Sequence, residues 1–307
     1  MAKCLAPGPG AQRRRATVLR RRRILPPWLA LGVALLGIST AAPLARLAAV
    51  DGTTAAWWRL LVGGGVTLAA TLLAGQLPRG SVAVRSLPGG VFLAAHLALW
   101  LESLRYTSIA SSTGIVVSYP VIAAAYEALH GGLPSRRLLG IVLGFAGVAV
   151  LSTPWAGATL PGSLLALAGA FTAAAYFLTG RRLRVSGATT LEYTSTVYTT
   201  AFLVLTVYCL AAGVEPWNPR PGSLPYLVAL GLAPMLMGHT MLNYALAYYP
   251  ASMVTGVALL EPYGASLIAW LVLGEEPPPA SIPGLALTVA GAWLALSPGG
   301  ASRRRRL

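Results

Sequence analysis

A run of 25 almost entirely apolar residues, 250–274, carries Glu261 and Pro262 at its midpoint. About 20 apolar residues are enough for a helix to cross a bilayer. A carboxylate in such a span is poorly solvated, and a proline removes one backbone hydrogen bond of the helix. Chains tolerate this pair where it faces protein or a wet cavity and not lipid. The run therefore predicts a transmembrane helix with a functional break at Glu261 and Pro262.

Nine further apolar runs extend this prediction to most of the chain. The 307 residues are 56% hydrophobic and only 10% charged, whereas soluble domains carry about 25% charged residues. We therefore expect an all-α integral membrane protein with ten transmembrane helices. The ten runs lie near residues 26–47, 53–75, 87–106, 108–131, 136–155, 160–181, 189–213, 224–248, 250–274 and 281–299.

The two halves of the chain repeat each other. A shift of 142 positions pairs Pro262 with Pro120 and, after a two-residue gap, Gly291 with Gly147. Each half holds five helices, which is an odd number, so the second half must enter the membrane inverted. Inverted repeats are typical of secondary transporters, whose binding sites lie near the midplane at the repeat interface. The predicted units are a basic disordered tail (1–25), a first five-helix repeat (26–155), a second (160–299) and a basic C-terminal tail (300–307).

The charge distribution predicts an orientation. If the N-terminus is cytoplasmic, 19 of the 23 lysines and arginines fall in the tails and loops of the cytoplasmic side. This bias follows the positive-inside rule and predicts that both termini are cytoplasmic, in the cell (plasma) membrane. Because the arginines set topology and do not line one amphipathic face, we expect a lipid bilayer and a small-molecule substrate as partners, and no nucleic acid. The sequence indicates nothing of the oligomeric state.

Several short segments resemble the EamA-type ten-helix members of the drug/metabolite transporter superfamily, over roughly residues 26–299. Residues 103–108 (SLRYTS) are similar to the family's ALRYTSA segment, and Glu261 and Pro262 are similar to its EP pair. Leu273, Gly274 and Glu275 match its LGE motif. The first half lacks that acid at 130–133, and Tyr119 stands where the repeat would place the partner of Glu261. The resemblance implies two inverted EamA-like repeats that export or import small metabolites, often amino acids.

Ionisable residues inside the spans are few, and each is a candidate for function. Glu261 could exchange a proton or bind a substrate ammonium, or it could be a buried acid that stabilises the bend. Arg59 lies within two turns of the start of its helix. It could extend outward to the interface, or it could hold a substrate carboxylate or Glu261. Glu102 and Arg105 lie three residues apart and are expected to pair on one helix.

Two histidines occupy related helices of the two halves. His96 and His239 are 143 positions apart, one residue out of register, so they should differ by about 100° around the helix axis. Histidine is the side chain best suited to proton exchange near neutral pH. Aromatic walls suit apolar or cationic cargo. The predicted substrate-binding residues are His96, Trp100, Tyr119, His239, Asn243, Glu261, Tyr263 and Arg59, and the predicted helix breaks are Pro120 and Pro262.

These features favour a secondary active transporter, with export as the expected direction, of an amino acid or related amphipathic metabolite. Transport would proceed by alternating access between the repeats. The alternative is a membrane scaffold or receptor in which the repeat serves only packing. No catalytic constellation or metal-ligand spacing is present, so we expect no enzyme, no metal and no cofactor apart from a possible coupling proton.

Overall fold

A computed structural model describes residues 25–131, 133–151 and 158–296. Within these residues all regular structure is helical and there is no strand. The predicted terminal tails lie outside the described residues, except for Leu25. The α-helices are α1 (Pro27–Ser39), α2 (Ala41–Ala48), α3 (Gly52–Leu73), α4 (Gly80–Ser103), α5 (Ile109–Val116), α6 (Tyr119–Gly131), α7 (Ser135–Leu151), α8 (Leu160–Val185), α9 (Thr190–Ala212), α10 (Leu224–Leu230), α11 (Met241–Ala245), α12 (Ala251–Gly256), α13 (Glu261–Leu273) and α14 (Ser281–Leu296).

Eight stretches of the described chain are long and apolar enough to cross a membrane. They correspond to eight of the ten predicted apolar runs. The other two runs form α7 and α14, which are shorter, with 17 and 16 residues. The protein is therefore an all-helical, multi-pass integral membrane protein.

Close packing of α7 against α14 depends on glycine. A Cβ at Gly140 would lie 2.5 Å from the backbone nitrogen of Ala295, and one at Gly291 would lie 2.3 Å from that of Gly144. A Cβ at Gly147 would lie 2.4 Å from the carbonyl oxygen of Gly284. Small residues at these positions let two membrane helices approach to backbone contact.

Both repeat-related prolines stand at interruptions of an α-helix. In the first half, α5 ends at Val116 and α6 begins at Tyr119, directly before Pro120. In the second half, a 3-10 segment (Val257–Leu260) follows α12, and α13 begins at Glu261 with Pro262 in its first turn. A proline is tolerated there because the first N–H groups of a helix have no intrahelical acceptor.

The run 224–248 is less regular than its sequence predicts. Between α10 and α11, residues Gly231–Thr240 form a π-helical segment that contains Pro234 and His239. Such segments place additional residues in a turn and leave carbonyl groups without their usual donors. Glycines accommodate the segment, since a Cβ at Gly37 of α1 would lie 2.6 Å from the nitrogen of Gly238.

The broken and π-helical elements meet in the interior of the bundle. α1 packs against the π-helical segment, α3 contacts both that segment and α4, and α13 contacts α1 and α5. α4 in turn packs against α8 and α9. This arrangement brings residues from α1, α3, α4, α5, α6, the π-helical segment and α13 around one interior space.

Candidate functional site

A small cavity lies at the break before α13. Its walls combine charged, aromatic and apolar side chains from seven elements that are far apart in sequence. The lining residues are Ile38, Arg59, His96, Trp100, Val116, Tyr119, His239 and Glu261. Its volume is about 10 Å³, roughly enough for one water molecule and far below the range of about 300–1,000 Å³ of typical ligand pockets. The site is therefore polar and narrow.

Arg59 is directed into this cavity. Its side chain is 0% exposed, so the guanidinium does not extend to the interface. Nη2 donates to the carbonyl oxygen of Pro234 at 3.3 Å, in the π-helical segment. Nε and Nη1 are buried and have no hydrogen-bond partner among the described residues. A buried donor without a partner costs about 1–3 kcal/mol, so these two N–H groups are available to an incoming acceptor.

Glu261 faces the same cavity from the start of α13. It is 5% exposed, and within the described chain its carboxylate forms neither a hydrogen bond nor an ion pair within 4.0 Å. Its position in the first turn of a helix favours a negative charge, because the free N–H groups there carry a partial positive charge. Arg59 and Glu261 thus line one cavity without closing on each other.

The two histidines come together despite their different register. Their ring centroids are 5.9 Å apart. His96 Nδ1 lies 3.0 Å from the carbonyl oxygen of Gly169; since a carbonyl only accepts, Nδ1 of the neutral ring carries the hydrogen and Nε2 is an acceptor. Nδ1 of His239 is buried without a partner in the described part of the chain.

Trp100 and Tyr119 complete the aromatic wall. Trp100 stacks on His96 with a centroid separation of 5.9 Å, and Tyr119 meets the same ring edge-on at 6.3 Å. The guanidinium carbon of Arg59 lies 6.0 Å from the centroid of Trp100. The indole Nε1 of Trp100 is a further buried donor without a partner among the described residues.

Two of the predicted binding residues do not line this cavity. The side-chain amide of Asn243 donates to the hydroxyl of Tyr176 and, at 2.8 Å, to the carbonyl oxygen of His239. Asn243 therefore stabilises the backbone of the π-helical segment and does not face the cavity. The Tyr263 hydroxyl lies 2.9 Å from that of Thr288 on α14. Sequence reasoning did not identify Ile38 and Val116, whose apolar side chains carry no signal that distinguishes them from core residues.

Two carboxylates connect the two interrupted helices, α5–α6 and α12–α13, and each interrupted helix supplies one of them. Glu127 of α6 accepts hydrogen bonds from the backbone N–H of Ala251, at 2.7 Å, and from the hydroxyl of Ser252, at the start of α12. Glu275, just after α13, accepts from the N–H of Ile109, at 2.8 Å, at the start of α5. We call these contacts the Glu127 clasp and the Glu275 clasp. Each ties the end of one broken helix to the beginning of the other.

Further cavities lie near the two ends of the bundle. One of about 360 Å³ is lined in part by Arg46, Asp51 and Arg105. Another of about 740 Å³ includes Arg184, Thr189 and Tyr244. Among the described residues no group of three or more histidine, cysteine, aspartate or glutamate side chains could hold a metal ion.

Comparisons with known proteins show which proteins this chain resembles. The model of the EamA-like transporter family matches residues 160–297. An uncharacterized transporter of Archaeoglobus fulgidus is 24% identical over 203 residues, covering 62% of this chain and 68% of that protein. A riboflavin transporter of Vibrio cholerae is 26% identical over 202 residues, covering 61% and 63%.

The fold is also found among solved structures. A crystal structure with a TM-score of 0.72 and 22% sequence identity covers 87% of this chain and 96% of its own. The fold, the match over the second half and the transporter relatives agree with one another. Residues 160–297 of this chain are therefore similar to the EamA-like transporter family, and relatives that match about 60% of the chain are named as transporters.

Proposed function

We propose that the protein is a secondary active transporter that exports a small zwitterionic metabolite, such as an amino acid or a related amphipathic compound. The observation that carries this proposal is the cavity at the break of α13, where buried donors without partners and a carboxylate without a partner face one space. Such groups are costly inside a membrane protein. A ligand that satisfies them would repay that cost.

The hydrogen-bond donors and acceptors that line the cavity suggest how such a cargo would bind. Arg59 offers N–H groups at Nε and Nη1, on different sides of the guanidinium, and a carboxylate could accept from either one. Trp100 Nε1 supplies another donor, and His239 Nδ1 donates or accepts according to the tautomer of the ring. Glu261 can accept from an ammonium group, and the aromatic wall can contact an apolar side chain. A zwitterion would therefore meet both charged residues with opposite ends.

Any cargo would require the walls of this narrow cavity to separate, and a small cargo requires the smallest separation. Riboflavin, after which the Vibrio cholerae relative is named, is much larger than an amino acid and would require a wider one. Riboflavin is therefore a necessary member of any substrate panel. The leading candidates remain amino acids with apolar or aromatic side chains.

The clasps suggest a route to alternating access between two inverted five-helix repeats. We propose that α7 and α14 also cross the membrane, which gives ten crossings with both termini in the cytoplasm of the cell. The Glu127 clasp would then lie toward the cytoplasm and the Glu275 clasp toward the outside. Opening one while the other stays closed would expose the cavity to one side at a time, as in repeat-based transporters.

Counterflow in proteoliposomes tests the proposal. Vesicles loaded with unlabelled amino acids, riboflavin or cationic drugs are given the labelled compound outside, with and without a pH gradient. We expect transient accumulation of at least one amino acid by the wild-type chain. No counterflow with any compound would support the alternative of a membrane scaffold or receptor and would overturn the proposal.

Glu261→Gln separates cargo binding from proton coupling. The amide keeps the shape of the acid but cannot exchange a proton. We expect counterflow to persist at reduced affinity, because the amide still accepts from an ammonium, while the stimulation by a pH gradient is lost. If flux and its dependence on the gradient are both unchanged, the coupling role of Glu261 is wrong.

A further inference from the structure

A second interior space lies on the opposite side of the α12–α13 break from the polar cavity. This slot has a volume of about 90 Å³ and runs between α7, the α12 region and α14. Apart from Arg137 and Ser252, its walls are aliphatic side chains and glycines. The lining residues are Arg137, Gly140, Ile141, Ser252, Met253, Gly256, Val257, Leu259, Leu260, Ala292 and Ala295.

The slot is open where glycine lines it. A Cβ added at Gly256 would meet no heavy atom within 4 Å, in contrast to Gly140 across the slot, where it would lie 2.5 Å from backbone. From Ser252 to Leu260 the lining spans eight residue steps, which correspond to about 12 Å along a helix. The shape is therefore that of an elongated apolar channel and not of a round pocket.

Arg137 stands at one end of this channel. Its Nε is buried and has no hydrogen-bond partner among the described residues. By contrast, Arg79 and Arg105 form ion pairs with Glu192 and Glu102, both at 2.8 Å. The nearby Glu127 carboxylate already accepts from the start of α12. Within the described part of the chain, Arg137 is therefore a cation that forms no ion pair and lies beside an apolar channel.

The orientation of the channel fits a lipid. The arginine distribution predicts that Arg137 lies at the cytoplasmic surface, and the channel leads from there toward Leu259 and Leu260 at mid-membrane. Basic pockets between membrane helices on the cytoplasmic side are suited to anionic lipid headgroups. A free phosphate would leave the apolar channel empty, and a neutral acyl compound would leave Arg137 without an anion.

We propose that the slot binds an anionic phospholipid, with its phosphate on Arg137 and one acyl chain along α12 as far as Leu260. The site is separate from the cargo cavity, so its existence does not depend on which substrate is carried. Leu259 and Leu260 directly precede Glu261 and line the slot. The bound acyl chain would therefore contact the 3-10 segment at the break. Lipid binding would then favour the form of α13 described here.

Native mass spectrometry of the full chain in detergent tests the binding. Purified protein is titrated with dioleoylphosphatidylglycerol, dioleoylphosphatidylcholine or glycerol 3-phosphate. We expect one phosphatidylglycerol to be retained, phosphatidylcholine to bind more weakly and glycerol 3-phosphate not to bind. Arg137→Gln should weaken the binding of phosphatidylglycerol by about tenfold, the loss expected for a charge-assisted hydrogen bond.

Two further variants keep the test decisive. Arg85→Gln removes an exposed arginine of the same predicted face and should leave the affinity unchanged. Gly256→Leu fills the channel without touching Arg137 and should also weaken binding, even if Arg137→Gln fails to fold. Equal affinities for both phospholipids, equal effects of the two arginine variants, or no effect of Gly256→Leu would each overturn the proposal.

Discussion

Arg59 has a full positive charge inside the bundle and one hydrogen bond, to the carbonyl oxygen of Pro234. Its place two turns into α3 left two directions open from sequence, outward to the interface or inward to a partner. The inward direction depends on α10 and the π-helical segment, which lie about 170 residues later. No local pattern predicts such a contact. By contrast, the ion pair between Glu102 and Arg105 at 2.8 Å follows from their spacing on one helix.

Replacement of Arg59 tests its role at the residue scale. We expect Arg59→Gln to reduce counterflow of the transported amino acid at least tenfold, because the substrate carboxylate loses its charged partner. Arg59→Lys keeps the charge but not the planar guanidinium, so it should recover only part of the activity. The measurement is the concentration dependence of counterflow. Arg85→Gln is the control, and equal activity of Arg59→Gln and this control would contradict the assignment.

At the scale of the elements, the two interrupted helices can be predicted in part from the sequence. The shift of 142 positions indicates that Pro120 and Pro262 are equivalent, and both stand where an α-helix is interrupted. The contacts of the two clasps cannot be predicted in the same way. The equivalent of Glu275 is Leu133, and the acid that reaches the partner helix is Glu127, six positions earlier. The tertiary contact is conserved between the halves although its register is not, so a sequence comparison of the halves misses it.

Each clasp can be opened separately. In a chain without Cys4 and Cys209, a cysteine at Val116 reports access to the polar cavity. We expect Glu127→Gln to increase its labelling by a membrane-impermeant maleimide from the cytoplasmic side, because three hydrogen bonds to a charged group are weakened. Glu275→Gln should increase labelling from the outside. Increased labelling from the same side in both variants would contradict the role of the clasps as alternate gates.

The contact between α7 and α14 makes a prediction about stability. Gly291→Val places side-chain atoms where the backbone of Gly144 already lies, 2.3 Å from an ideal Cβ. Overpacking of this kind costs about 1–3 kcal/mol, so we expect a lower midpoint of thermal unfolding in detergent. Gly65→Val is the matched control, since a Cβ there meets nothing within 4 Å. A control that destabilises as strongly would show that the close approach is not the cause.

At the scale of the whole molecule, composition and apolar runs are enough to predict a multi-pass helical membrane protein. Eight of the ten runs reappear as stretches able to cross a bilayer. The π-helical segment Gly231–Thr240 was not predictable, because its residues are as apolar as those of a regular helix. Its geometry follows from packing against α1 and α3, where glycines on both sides allow close approach.

The orientation of the whole chain is open to a direct test. If both termini are cytoplasmic, a fluorescent protein fused after Leu307 should fluoresce, and a phosphatase that folds only outside the cytoplasm should be inactive there. The same phosphatase inserted after Asn218, between α9 and α10, should be active. An active phosphatase at the C-terminus would locate that end outside the cytoplasm and would contradict the proposed orientation.

The bond between Arg59 and Pro234 has a consequence for energetics. A guanidinium already neutralised by an acid must lose a strong internal partner before it can recruit a ligand. Here a peptide oxygen accepts from the cation at 3.3 Å, and a hydrogen bond that involves a charged group contributes about 1.5–3 kcal/mol net. An anion that binds Arg59 would therefore compete with a single backbone acceptor and, among the described residues, with no acidic side chain within 4.0 Å.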